Sequence, residues 1–223
     1  MTEAEIRNSP LLPPNTARMG CHFSPTGPGL SQLPSSLPRG GMLILDDREP
    51  FQNHTPAQIA QELKDTLDRL GCDSLLLDFE RPPTPQTQKL GALLAQVLPC
   101  PVGMPPAYGV GIPFLSPCPL HIPLEDYLRP FQGREIWLEW MVQAQTITVT
   151  PQGTALGPAK DKPDRGWYDQ HLQCMAAMDT TPEGVIFTLF DTPDTLEKKM
   201  TQAQKLGVTR RIGLYQDFPV FAK

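Results

Sequence analysis

The stretch Thr55-Pro56-Ala57-Gln58-Ile59-Ala60-Gln61-Glu62-Leu63-Lys64-Asp65-Thr66-Leu67-Asp68-Arg69-Leu70-Gly71-Cys72-Asp73-Ser74-Leu75-Leu76-Leu77-Asp78-Phe79-Glu80 reads as a helix, a tight stop and a buried strand. Thr55 offers an N-cap oxygen, Pro56 presets the first helical φ, and Gln58 stands at the capping-box position. Ile59, Leu63, Leu67 and Leu70 recur at helical intervals, which predicts a helix from residue 56 to 70. Gly71 then permits the left-handed residue that closes it. The apolar run Leu75 to Leu77, ending at Asp78-Phe79-Glu80, is strand-like and continuous, as in a strand covered on both faces.

The same grammar recurs twice. Thr84-Pro85 opens a face of Leu90, Leu93, Leu94 and Val97 that leads into Pro101-Val102-Gly103-Met104. Thr192-Pro193 opens Leu196, Met200 and Leu206-Gly207, leading into Ile212-Gly213-Leu214-Tyr215. Upstream, Gly41 to Asp47 reads as another buried strand and Arg18 to Phe23 as a weaker one. Buried strands that alternate with helices call for a parallel sheet with covered faces, so the fold class is α/β.

The middle of the chain departs from this pattern. Residues 99–130 are crowded with proline and hold only a short candidate helix at Leu124 to Leu128. Glu135 to Met141 and Thr146 to Thr150 look like adjacent strands, and His171 to Asp179 with Val185 to Phe190 resemble a hairpin around Thr180 to Gly184. The expected strands are 18–23, 42–47, 74–80, 101–104, 119–122, 135–141, 173–178, 185–190 and 211–216. That many strands with so few helices predicts a small, irregular (β/α) TIM-like barrel in which some crossovers are reduced to loops or extra strands. The alternative is an open α/β sheet with an antiparallel appendage. Residues 1–17 read as an irregular tail and 18–223 as a single barrel-like domain; Ser24 to Gly41 and Gln152 to Gly166 read as surface loops.

Composition narrows the function classes. The 223 residues carry 19 Lys and Arg against 24 Asp and Glu, a net charge of −5, and no basic block exceeds two residues. Nucleic acid is therefore not an expected partner. No apolar stretch approaches the roughly 20 residues of a membrane-spanning helix, and no basic start precedes an apolar run of the secretory type. The expectation is a soluble, cytoplasmic protein. Proline makes up about 12% of the chain (27 residues) against a usual value near 5%, scattered as in stiff loops. The five cysteines contain no C-x-x-C motif and the four histidines no ligand spacing, so neither a disulfide framework nor a metal is expected. Dinucleotide, P-loop and nucleophile-elbow motifs are absent, and no cofactor is expected.

Only the strand Ser74 to Glu80 carries a chemical suggestion. Alternation puts Leu76, Asp78 and Glu80 on one face and Leu75, Leu77 and Phe79 on the other, against the helices. In a parallel barrel the first face points to the lumen, with both acids at the carboxyl end of the strand, where barrel active sites are built. Carboxylates about 6.5–7 Å apart along a strand repel each other, which raises one pKa and makes a general acid. The plainer alternatives are acids that solvate the strand end, pair with Arg81 or cap the helix after Thr84.

Asp73-Ser74-Leu75-Leu76-Leu77-Asp78-Phe79-Glu80 resembles the D-G-x-D-x-D-x-E signature on a barrel strand of chitinase-type family-18 glycoside hydrolases. The shorter D-x-E also occurs in family-25 lysozymes. The resemblance implies a TIM barrel in which Glu80 protonates the glycosidic oxygen and Asp78 orients a substrate 2-acetamido group that acts as nucleophile. Asp73 matches the first acid; Ser74 replaces the glycine and Leu76 the middle aspartate. The implied partner is a carbohydrate; other small-molecule ligands, or a protein held by a catalytically inactive barrel, form the alternative.

Further candidates surround this pair. One of Asp46 and Asp47 should face the same lumen as a supporting carboxylate. Tyr108, after a stiff Met104-Pro105-Pro106-Ala107 turn, could hydrogen-bond a sugar hydroxyl or acyl group, or pack over a loop. Glu139 shares a strand face with Trp137 and Met141, while Ile136, Leu138 and Trp140 share the other. Tyr215 and Gln216 close the last expected strand, where a polar side chain could join a substrate site.

Overall fold

Threonine–proline pairs start the three long helices of the computed structural model, which describes residues 16–52 and 54–214. These are α1 (Pro56–Leu70), α2 (Pro85–Val97) and, after a short helix α3 (Leu124–Leu128), α4 (Pro193–Lys205). The Thr55 hydroxyl accepts the Gln58 amide, and Thr84 and Thr192 form reciprocal capping boxes with Thr87 and Thr195. A threonine hydroxyl at the third helical position thus does what Glu or Gln usually does. Gly71 ends α1 at φ 65°, the left-handed conformation its lack of Cβ permits.

The chain divides into two compact units, Met1–Phe114 and Leu115–Lys223. In the first, β1 (Ala17–Phe23), β2 (Leu30–Ser31), β3 (Met42–Asp46), β4 (Ser74–Asp78), β5 (Val102–Met104) and β6 (Ile112–Leu115) lie in the order β2-β1-β3-β4-β5-β6. All neighbours are parallel except β1 and β2. α1 carries the crossover from β3 to β4 and α2 that from β4 to β5. The next crossover is only the 3-10 turn Pro106–Tyr108. Gly111 lets the chain double back beside β5: its φ is +69°, and a Cβ there would stand 2.8 Å from the Val102 carbonyl oxygen.

Alternation along β3 and β4 sorts the core. Leu43, Leu45, Leu75, Leu77 and Phe79 pack with Ile59, Leu63, Leu90 and Leu94 of the helices. Ile44 and Leu76 point to the other face and are also only 2% and 1% exposed, so this sheet is dry on both faces, as parallel sheets are.

In the second unit, β7 (Ile136–Trp140) pairs in parallel with the strand that follows α4. Ile136, Leu138 and Trp140 pack against Leu124, Leu128, Leu196 and Met200. The remaining strands are β8 (Ala144–Thr150), β9 (Gly153–Pro158), β10 (Trp167–Asp169), β11 (Cys174–Thr181) and β12 (Gly184–Phe190). They form an antiparallel sheet in the order β10-β11-β12-β8-β9, and β13 (Val208–Gly213) closes the described chain. The architecture is mixed α/β, with helical crossovers in one unit and added antiparallel strands in the other.

Several local expectations differ from what is observed, and the presumed loop Ser24 to Gly41 contains the short strand β2. Residues 119–122 form a turn, with the Ile122 amide donating to the Pro119 carbonyl at 3.0 Å, and the strand of this region is β6 instead. Pro117, Pro119 and Pro123 lack the amide a ladder needs. The presumed loop Gln152 to Gly166 contains β9, hairpinned to β8 through Thr150 and Gly153. The last strand starts at Val208 rather than 211, as soon as Gly207 has turned the chain. Among the described residues no helix is long and apolar enough to cross a membrane.

Candidate functional site

The register of β3 on β4 places Asp46 directly beside Asp78 at the carboxyl ends of two parallel strands. Side chains paired this way lie on one face, so Asp46, not Asp47, is the neighbouring acid on the Asp78 side. Arg48 reaches back over Asp46 in a fork: its Nε donates to Oδ1 at 2.8 Å and its Nη2 to Oδ2 at 2.7 Å. Such two-pronged pairing fixes orientation as well as charge.

Asp47 turns the other way and is buried. Its Oδ1 accepts the Glu80 amide and its Oδ2 the Arg81 amide, both at 2.9 Å. The Arg81 guanidinium closes the clamp, donating to the backbone carbonyls of Asp47 at 2.8 Å and Arg48 at 2.7 Å. This explains why β4 ends at Asp78 rather than at the expected residue 80: the next free amides belong to Asp47. An Asp47→Asn exchange keeps the shape but sets an amide NH2 against one of these donors. The expected cost is roughly 1–3 kcal/mol of stability, read as a lower denaturant midpoint.

Asp78 is half-buried, and its carboxyl pKa lies above the ordinary 3.8. Burial is the largest cause, followed by the charges of Glu80, Asp46 and Asp47. The repulsion expected from the Asp-x-Glu spacing is present, and it acts on Asp78. Neither the Asp78 nor the Glu80 carboxylate has a hydrogen-bond or ion-pair partner among the described residues, and Glu80 is exposed. The alternatives of pairing with Arg81 or capping α2 are not realised, since Arg81 is spent on carbonyls and Thr84 caps the helix.

The raised pKa has a consequence for stability. The folded state holds the Asp78 proton more tightly than the unfolded chain, so stability contributed by Asp78 is present at low pH and declines as pH rises through its folded pKa. An Asp78→Asn variant is therefore expected to melt higher than the wild type at neutral pH. The difference should vanish below the ordinary carboxyl value of 3.8, a comparison that thermal melts across pH check directly.

The other predicted residues are placed as follows. Tyr108 is buried in the helix-side core, edge-on to Phe79 at 5.8 Å, with its hydroxyl donating to Thr87 Oγ1 at 3.3 Å. It braces the α2 capping box rather than the carboxylate face. Glu139 belongs to the second unit, half-buried on the β7 face opposite Leu138, in register with Ile212. Tyr215 and Gln216 lie outside the described residues. Arg48 is not among the expected site residues, although Asp46-Asp47-Arg48 holds a signal in its i, i+2 acid and base, and Arg81, expected as a partner of the acids, binds backbone carbonyls instead. Among the described residues no cluster of three or more His, Cys, Asp or Glu could hold a metal. A cleft of about 560 Å3 lies on the outer side of α1, lined by Leu33, Gln58, Glu62 and Arg69 among others, and none of the predicted site residues line it.

No family model matches the chain, and no curated protein matches it by sequence. Solved structures do. One is a protein described as a sporulation-specific glycosylase, YdhD of Bacillus subtilis, at a TM-score of 0.57 and 9% identity, covering 88% of this chain and 90% of that one. The spore cortex-lytic enzyme SleL of Bacillus cereus follows at 0.49 and 13%, covering 78% of this chain and 55% of that one. The C-terminal domain of a protein described as a chitinase, from Desulfitobacterium hafniense, reaches 0.46 and 11%, covering 78% and 72%. At these identities the likeness is one of fold, and the neighbours are glycosylase- and chitinase-like.

Proposed function

We propose that the protein hydrolyses glycosides containing N-acetylhexosamine, with Glu80 protonating the glycosidic oxygen and Asp78 orienting the substrate 2-acetamido group. The observation that carries this reading is the pair itself. Two neighbouring carboxylates stand at the carboxyl end of β4 without partners among the described residues, and burial, then the charge of Glu80, raises the pKa of Asp78. The Asp47 clamp holds the Glu80 backbone in place, and such positioning supports a reacting role for its side chain. The fold shared with a sporulation-specific glycosylase supports carbohydrate chemistry.

In this mechanism the acetamido carbonyl attacks the anomeric carbon, and Asp78, ionised, accepts the N–H on which positive charge develops. Glu80 gives its proton to the departing oxygen and then takes one from the incoming water. A second reading is favoured by one feature. Leu76, only 1% exposed, stands where the resembled signature has its middle aspartate, which suits a barrel that binds carbohydrate or another ligand without turnover. Fluorogenic N-acetylglucosamine oligomers separate the two: turnover by the wild type and none by Glu80→Gln supports hydrolysis. Binding without wild-type turnover, or full activity in the variant, rejects it.

A further inference from the structure

A bulge in β1 decides which of its side chains meets the acids. Arg18 lies opposite Leu43, yet Cys21 lies opposite Leu45, so β1 carries one extra residue between them. It is taken up around Gly20, whose φ of +101° is a value glycine adopts freely. Without the bulge Cys21 would fall beside Asp46, and His22 would turn into the helix-side core. With it Cys21 and Phe23 join that core, and His22 lies beside Asp46. Asp46 in turn lies beside Asp78, and across the antiparallel β1–β2 pair Ser31 lies opposite His22. Partners in register share a face, so Ser31, His22, Asp46 and Asp78 form one polar row over four adjacent strands. One step down the same face, Ile44 and Leu76 fill the sheet at 2% and 1% exposure.

His22 is itself more than nine-tenths buried, at 6% exposure. Its Nδ1 stands 3.0 Å from the Gly20 carbonyl oxygen. That oxygen only accepts, so Nδ1 holds the proton and donates. Gly20 thus turns the side chain to the acid row and also fixes its ring. In the neutral ring the lone pair is then on Nε2, which has no hydrogen-bond partner among the described residues. Asp46 cannot supply one, since a carboxylate only accepts and both of its oxygens are engaged by the Arg48 fork. A buried acceptor left without a donor costs free energy that an incoming donor recovers.

We infer that His22 is a substrate-binding residue of this site, its Nε2 accepting a hydrogen bond from a sugar hydroxyl. The inference rests on the glycoside reading of Asp78 and Glu80. His22 stands two strands, roughly 10 Å, from Asp78, so the sugar that reaches it is a neighbour of the ring at the scissile bond. The row also selects the kind of ligand. A bare imidazole nitrogen takes a donor, and a hydroxyl is the donor a glycan presents, whereas an anionic group would meet the like charges of Asp46 and Asp78. No bond is made or broken at His22. Its loss should therefore weaken binding and leave the chemical step alone.

The test is long-range 1H–15N NMR of the imidazole in the intact protein, titrated with the N-acetylglucosamine trisaccharide, together with steady-state kinetics of two variants. In the free protein the His22 ring should carry its proton on Nδ1 and a bare Nε2, and the trisaccharide should move the Nε2 resonance toward that of a hydrogen-bonded nitrogen. His22→Asn keeps an N–H for the Gly20 carbonyl but has no atom in the place of Nε2. It should raise KM for oligomers roughly 3–10-fold with kcat unchanged. His22→Gln puts an acceptor oxygen in that place and should recover much of the loss. An Nε2 that is protonated in the free protein, or that stays put while the trisaccharide binds, would overturn the inference. So would a fall in kcat with KM unchanged in His22→Asn. Binding that moves Nε2 without any turnover rejects hydrolysis and keeps the role of His22, turnover with an unmoved Nε2 does the reverse, and no binding at all overturns both.

Discussion

Glu80→Gln is expected to hydrolyse N-acetylglucosamine oligomers about 10²–10⁴-fold more slowly than the wild type, with a melting temperature no lower than the wild type's. The first half follows from the role proposed for the carboxyl, since the amide is isosteric but has no proton to give. The second half follows from the surroundings. Glu80 is exposed, its carboxylate touches no described donor, and its one structural bond is the backbone amide held by Asp47, which the exchange leaves in place. Asp78→Asn should also slow turnover strongly, but with a different signature. The ionised form of Asp78 is the one that can accept the acetamido N–H, and its pKa is raised. The wild-type kcat/KM should therefore climb with pH along an acid limb set above 3.8, and that limb should be missing from whatever activity Asp78→Asn retains. A profile of kcat/KM against pH for the three proteins reads both effects. An acid limb that persists in Asp78→Asn would assign it to another group.

The parts of the fold that were legible are those where one local rule suffices. Thr55, Thr84 and Thr192 announced three helices because a hydroxyl before proline satisfies an amide that nothing else reaches. The faces of β4 followed from strict alternation, and Leu75, Leu77 and Phe79 do meet the helices. What stayed hidden depends on pairing between distant segments. β6 contains Pro113 and sits in a proline-rich stretch, where strand propensity is low and the ladder offered by β5 makes the strand. β9 has no apolar alternation to advertise it and exists because β8 offers an open edge.

The site shows the same division. Asp78 and Glu80 could be placed at a strand end from their spacing alone, whereas the adjacent acids Asp46 and Asp47 could not be told apart. Register assigns Asp46 to the carboxylate face and leaves Asp47 to hold two amides of the next loop. Tyr108 was open between ligand contact and packing, and the choice turned on Phe79 and Thr87, which come from two other elements. The place of His22 beside Asp46 likewise exists only in the register of β1 on β3.

Lys199→Ala is expected to destabilise the second unit by about 3–5 kcal/mol, because it strands a carboxylate that water cannot reach. Asp191 directly follows β12, one residue before the Thr192 N-cap of α4, with a side chain 1% exposed, and Lys199 lies about two turns into α4 with 8%. Lys199 Nζ donates to Asp191 Oδ1 at 2.8 Å, and the Thr195 hydroxyl donates to the same oxygen at 3.2 Å. The Asp191 backbone is engaged as well, its amide donating to the Gln143 carbonyl at 2.9 Å and its carbonyl accepting Lys162 Nζ at 3.2 Å. The carboxylate therefore cannot swing out to solvent without disturbing the start of α4. The neutral Thr195 hydroxyl does not replace the lost cation. Burying an ion pair is itself costly, so the pair need not add much net stability over an apolar equivalent. The double variant Asp191→Leu/Lys199→Met, which removes both charges and fills the space, should then lose much less than Lys199→Ala alone. Denaturant midpoints for the single and double variants measure this difference. Equal losses would mean that packing of the lysine stem, rather than its charge, holds α4 in place.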